Sequence, residues 1–173
     1  MIGVGLGFMF RELGHKYVAM KYDYQAEFKA WPIGLLIALV SAFFGLVFAA
    51  PGEIKIYAEN LSDEIVGKIA LAGPMANTIF ALIFLAIAAL TAPLKSNSSV
   101  FELIFLISGV GFSVNSFLAA FNLLPIYTLD GLKVIKWNVG LWLVVFSISV
   151  IMMLLSITIG VENMVKFLID MHL

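Results

Sequence analysis

MFRELGHKYVA, residues 9 to 19, sets Arg11, Glu12 and His15 inside a segment that is otherwise almost wholly apolar from Met1 onward. Charge at bilayer depth is costly, at least about 2.5 kcal/mol for an arginine on insertion scales, so such residues face a cavity or a partner. On a helix, positions 11 and 15 stack one turn apart and position 12 lies beside them. All three then point into one interior site.

The chain around this stretch is a membrane protein by composition. Of its 173 residues, 62% are hydrophobic and 12% charged, where a soluble domain is nearer half apolar and a quarter charged. The formal charge of −1 and the scattered lysines give no nucleic-acid footprint. There is no cysteine, so any metal would rest on histidine and carboxylate. Residues 1–10 lack the basic start and small-residue cleavage site of a signal peptide.

A spanning helix takes about 20 mostly apolar residues. The segments 1–20, 67–92, 101–126 and 137–160 meet that requirement, and 33–50, between Pro32 and Pro51, is marginal. If 33–50 crosses, Lys16, Lys21, Lys29, Lys95 and Lys166 stand against Lys55, Lys68, Lys133 and Lys136, with no bias. If it dips in and returns, seven of these nine lysines share one side, leaving Lys95 and Lys166 opposite. The second arrangement fits the cytoplasmic excess of basic residues. QAEFKAW (25–31) and EIKIYA (53–58) alternate with period two and read as short strands. The expected fold class is all-α: a polytopic membrane helix bundle of about four spanning helices, with a short re-entrant or β-strand insert after the first. Residues 1–173 form a single membrane-embedded domain.

Two further stretches carry polar groups at depth. FNLLPIYTLDG (121–131) has Asp130, the only acid between Glu102 and Glu162. There Pro125 ends or bends the helix, Asn122 offers side-chain hydrogen bonds, and Gly131 permits a close approach. GPMAN (73–77) places a proline and Asn77 near the start of the second long span. Each alone has a plain alternative: a buried Arg–carboxylate pair beside a satisfied histidine, an ordinary helix exit, a packing kink.

Together, RELGH (11–15), GPMAN (73–77) and NLLPIYTLDG (122–131) resemble the site-2 protease family of intramembrane zinc metalloproteases, archaeal members in particular. The match spans residues 9 to 136. Members show H-E-x-x-H, in which two imidazoles on one helix face hold zinc and the glutamate works on the bound water. The resemblance implies zinc as cofactor, with His15 and Asp130 as metal ligands and Glu12 as the catalytic glutamate. It implies Asn77 and Asn122 as groups positioning the substrate or the transition-state oxygen. The extended segments would match a sheet edge that receives an unwound substrate strand. The implied reaction is peptide-bond hydrolysis within a membrane segment. The partners are then membrane-protein segments and the bilayer, and the protein is an integral one of the cell membrane with its site nearer the cytoplasmic side.

Arg11 stands where the family has its first zinc-ligating histidine. Arginine has only donors, and a catalytic zinc takes three protein ligands plus water. A guanidinium about 5 Å from a dication would oppose it by on the order of 6 kcal/mol at an effective dielectric near 20. His172, the only other histidine, follows the last span. Arg11 paired with Asp130, and with Glu12, would instead occupy the zinc position. Three readings follow: a zinc-dependent membrane metallopeptidase, a metal-free pseudoprotease that binds or regulates membrane proteins, and a small channel or transporter lined by these residues.

Overall fold

The computed structural model describes residues 2–30, 52–57, 61–126 and 129–170. The segment 33–50, with the re-entrant path expected for it, lies outside the described residues, as does His172.

Helix α1 runs Ile2–Lys21 and is followed by strands β1 (Gln25–Ala30) and β2 (Gly52–Tyr57). The strands pair antiparallel, from Gln25 opposite Tyr57 to Ala30 opposite Gly52. Then come α2 (Asp63–Thr91), a short 3-10 turn (Ala92–Leu94), α3 (Ser99–Asn122), α4 (Asp130–Trp137), α5 (Val139–Thr158) and α6 (Val161–Asp170).

Local chemistry sets the boundaries. Helix α2 starts before the apolar run at 67 because the Ser62 hydroxyl accepts the Ile65 N–H, with Asp63 and Glu64 in the first turn, where carboxylates meet the positive end of the helix dipole. Ser98 and Asn138 cap α3 and α5 in the same way. Helix α3 stops at Asn122 rather than 126, and the turn ahead of Pro125 is held by the Trp142 indole N–H, which donates to the Leu123 carbonyl at 2.7 Å.

Among the described residues, three helices are long and apolar enough to cross a bilayer: α2 with its 3-10 extension, α3 and α5. The first segment was expected to join them. It forms a 20-residue helix, but one carrying Arg11, Glu12, Lys16 and Lys21. Two helices had not been expected. Helix α4 lay in what reads as a loop, and α6 follows a break at Gly160, whose φ of 76° is open to glycine.

Helix α2 is the central element and touches α1, α3, α4, α5 and α6. The core runs along it in layers. At one end Ala70 packs with Leu123, Val134 and Val145. Next come Ala81 with Phe112 and Met152, then Ala88 with Phe105 and Val165. Outward-facing Leu82, Leu90, Leu106, Val144 and Ile151 are all exposed and apolar, as a lipid-facing surface requires.

Candidate functional site

Helices α1 and α2 run antiparallel, since His15 meets Ile69 and Phe10 stacks on Phe80 with ring centroids 3.6 Å apart. Glycines bring them close. A Cβ on Gly14 would lie 2.6 Å from the Ala72 carbonyl oxygen. A Cβ on Gly73 would overlap the His15 ring and lie 2.8 Å from Arg11 Cγ. Gly73 therefore makes the room in which both side chains sit. Pro74 follows it and lacks the N–H that would bind the Ala70 carbonyl, which loosens this turn of α2.

Asp130 arrives from the other side. It is the first residue of α4, and Gly131 behind it packs directly on the Leu123 carbonyl, where no side chain fits. That contact turns Asp130 inward, to 4% exposure.

The four side chains expected to converge do so: Arg11 and His15 meet at one oxygen of Asp130, and Glu12 joins them through Arg11. Arg11 Nη2 donates to Asp130 Oδ2 at 2.5 Å and Arg11 Nε to the same oxygen at 3.2 Å. Arg11 Nη1 donates to Glu12 Oε1 at 2.6 Å. His15 Nε2 lies 3.3 Å from Asp130 Oδ2. His15 Nδ1 sits 2.7 Å from the Ile69 carbonyl; because a carbonyl only accepts, Nδ1 carries the proton and aims Nε2 at the carboxylate. Burial alone would raise the Asp130 pKa. The hydrogen bond from His15 and the charges of Arg11, His15 and Lys133 outweigh it and hold the carboxyl well below its usual range.

These residues line a cavity of about 150 Å³ with Leu61, Val66, Ile69, Ala70 and Lys133. Lys133 Nζ stands 3.6 Å from Asp130 Oδ1, one helical turn on, and sequence reasoning had not singled it out. Its only signal was the i, i+3 spacing. The Ile69 carbonyl, a backbone group, had none. Asn77 and Asn122 do not line this cavity. Asn77 is wholly buried on α2 and its amide has no hydrogen-bond partner among the described residues, whereas Asn122 donates to the Leu118 carbonyl of its own helix.

The donor set does not fit a three-ligand zinc centre. Arg11 brings no lone pair, and no three His, Asp or Glu side chains gather as metal ligands among the described residues. His15 Nε2 and Asp130 Oδ2 face each other, and the guanidinium is bonded to that oxygen.

Fold and site thus define a helical membrane-type protein with a buried ionic centre between its first helix and its fourth. No family model matches the chain, and no solved structure does. Among curated proteins, one from Methanocaldococcus jannaschii, named "Putative zinc metalloprotease", is 43% identical over 146 residues, which is 84% of this chain and 73% of that protein. The chain belongs to the same metalloprotease family.

Proposed function

We propose that this chain is a site-2-type, membrane-embedded member of that family, and that in the form present here it binds a membrane-protein segment without hydrolysing it. The observation that carries this reading is the Arg11 guanidinium, bonded at once to Asp130 and to Glu12. The former residue would be a ligand and the latter the base in an active relative, so one fixed cation engages both groups hydrolysis needs. A buried ion pair of this kind adds little net stability, but it leaves no lone charge in the bilayer.

The segment-binding part draws on the β1–β2 pair. No third strand joins it among the described residues, so an extended peptide could add along an edge through main-chain hydrogen bonds. Lys133 lines the site, and it belongs to the larger group of lysines that share one side when 33–50 returns; both support placement of the site on the cytoplasmic side.

A second reading, zinc-dependent hydrolysis, has one specific observation in its favour. The His15 ring is held by the Ile69 carbonyl in the orientation a metal-ligating imidazole takes.

Metal analysis of the purified chain beside Arg11→His separates the two. The expected result is no bound zinc in the natural chain and close to one zinc per chain in the variant. Labelled single-span peptides should be retained uncut by the natural chain. Stoichiometric zinc in the natural chain, or cut peptides, would return the hydrolytic reading; failure of both chains to bind any peptide would remove the segment-binding one.

A further inference from the structure

On the face of α2 turned away from the ionic centre lies a second cavity, of about 300 Å³, lined by Val18, Lys21, Tyr22, Lys68, Leu71, Ala72, Met75 and Trp137. That volume is at the lower end of small-molecule sites. We propose that it holds the headgroup and first acyl carbons of an anionic glycerophospholipid. The proposal is independent of whether the ionic centre carries a metal.

The cavity is chemically two-sided. Val18, Leu71, Ala72 and Met75 make an apolar floor between α1 and α2. Lys21 and Lys68 stand at its polar rim with the Tyr22 and Trp137 rings. Lys68 Nζ lies 5.4 Å from the Tyr22 ring centroid and 5.9 Å from that of Trp137. Trp137 reaches this place because α4 packs directly on Gly67, where a Cβ would collide with the Trp137 side chain. Lys68 also pairs with Glu64 at 2.5 Å, whereas no carboxylate among the described residues pairs with Lys21. The rim therefore keeps a net positive charge.

Position supports the same ligand. Lys68 is five residues into α2, roughly 7–8 Å from its start at 1.5 Å per residue. Basic and aromatic side chains at the entry of a spanning helix mark headgroup depth. Basic pockets between helices at that depth take lipid phosphates. Nearby Tyr17 and Met20 are exposed, so the floor is continuous with surface that acyl chains would cover.

The test is native mass spectrometry of the full chain in detergent, titrated with dioleoylphosphatidylglycerol and, separately, dioleoylphosphatidylcholine. The expected result is one tightly bound phosphatidylglycerol, with affinity falling about five-fold for each of Lys21→Gln and Lys68→Gln, while Lys95→Gln at the far end of α2 leaves it unchanged. Equal binding of the two lipids would overturn the proposal, as would an undiminished preference in the Lys21→Gln/Lys68→Gln double variant. Displacement of the lipid by millimolar inorganic phosphate would show that the cavity reads phosphate alone and would overturn the lipid assignment.

Discussion

Asp130 Oδ2 is the atom on which the centre turns, since Arg11 Nε and Nη2 and His15 Nε2 all address it. Removing that carboxylate leaves a part-buried guanidinium with Glu12 as its remaining carboxylate partner among the described residues. Asp130→Asn should therefore cost about 3 kcal/mol or more, and the double variant Arg11→Met/Asp130→Leu should cost clearly less than the sum of its single changes. Additive losses in reversible unfolding would mean the two side chains act independently. The sign of the pH dependence follows from the same contacts. The folded-state pKa of Asp130 lies below its usual value, so its contribution is present above the ordinary carboxylate range and is lost as pH falls through that range and below it. Asp130→Asn should remove this acid-side slope. Gly73→Ala tests the room made for the site. Its Cβ would overlap the His15 ring, which the Ile69 bond holds in place, so a loss of about 1–3 kcal/mol is expected. An unperturbed His15 resonance in that variant would contradict the close approach. The shared face of Arg11, Glu12 and His15 could be anticipated from their spacing, and the joining of Asp130 to them only from the family resemblance. The roles of Ile69 and Gly73 could not, because a backbone carbonyl and an absent Cβ acquire meaning only when a neighbour is placed beside them.

Among the elements, α2 carries the packing and α6 is an addition to it. Phe112 is fully buried against Ala81 and Met152 between α2, α3 and α5. Phe112→Ala should lower stability by about 3 kcal/mol, and a change under about 1 kcal/mol would mean the layer is loosely packed. The Lys95–Glu162 ion pair, at 2.7 Å, joins α6 to the loop after α2 at the surface. The hydrogen bond from Lys95, with its charge, holds Glu162 below its ordinary pKa. Lys95→Gln should raise that pKa toward normal in a carboxyl NMR titration while barely moving the unfolding temperature, because exposed pairs are screened. A large drop in unfolding temperature would show that α6 depends on this pair. The long apolar helices were legible because 20 or more nonpolar residues leave few alternatives. Helices α4 and α6 were not. They have 8 and 10 residues, too short to form by propensity alone, and they exist through what they pack against.

Across the whole molecule, the ionic centre and the Lys95–Glu162 contact lie at opposite ends of α2. From Ala70 to Ala92 the helix rises by roughly 33 Å at 1.5 Å per residue, close to a bilayer's hydrocarbon thickness. The natural chain has no cysteine, so single cysteines can map this directly. At Ile79, Leu106 or Val144, all exposed in the bundle, a cysteine should resist a water-soluble maleimide in intact membranes. At Lys95 or Lys166 it should react, and from the side opposite to one at Lys133. Ready labelling at Leu106 would remove it from the lipid face. What the sequence determined by itself was the membrane class, the run of long apolar helices and the set of charged residues needing a shared interior site, because hydrocarbon admits few ways to hide charge or backbone. What only the tertiary structure decided was which atom those charges share. Arg11, from α1, and Asp130, from the start of α4, are separated by more than a hundred residues, and their geometry depends on the turn of α2 at Gly73-Pro74 and on the seat of Gly131 against Leu123. Spacing along the chain does not encode contacts of that kind; packing creates them.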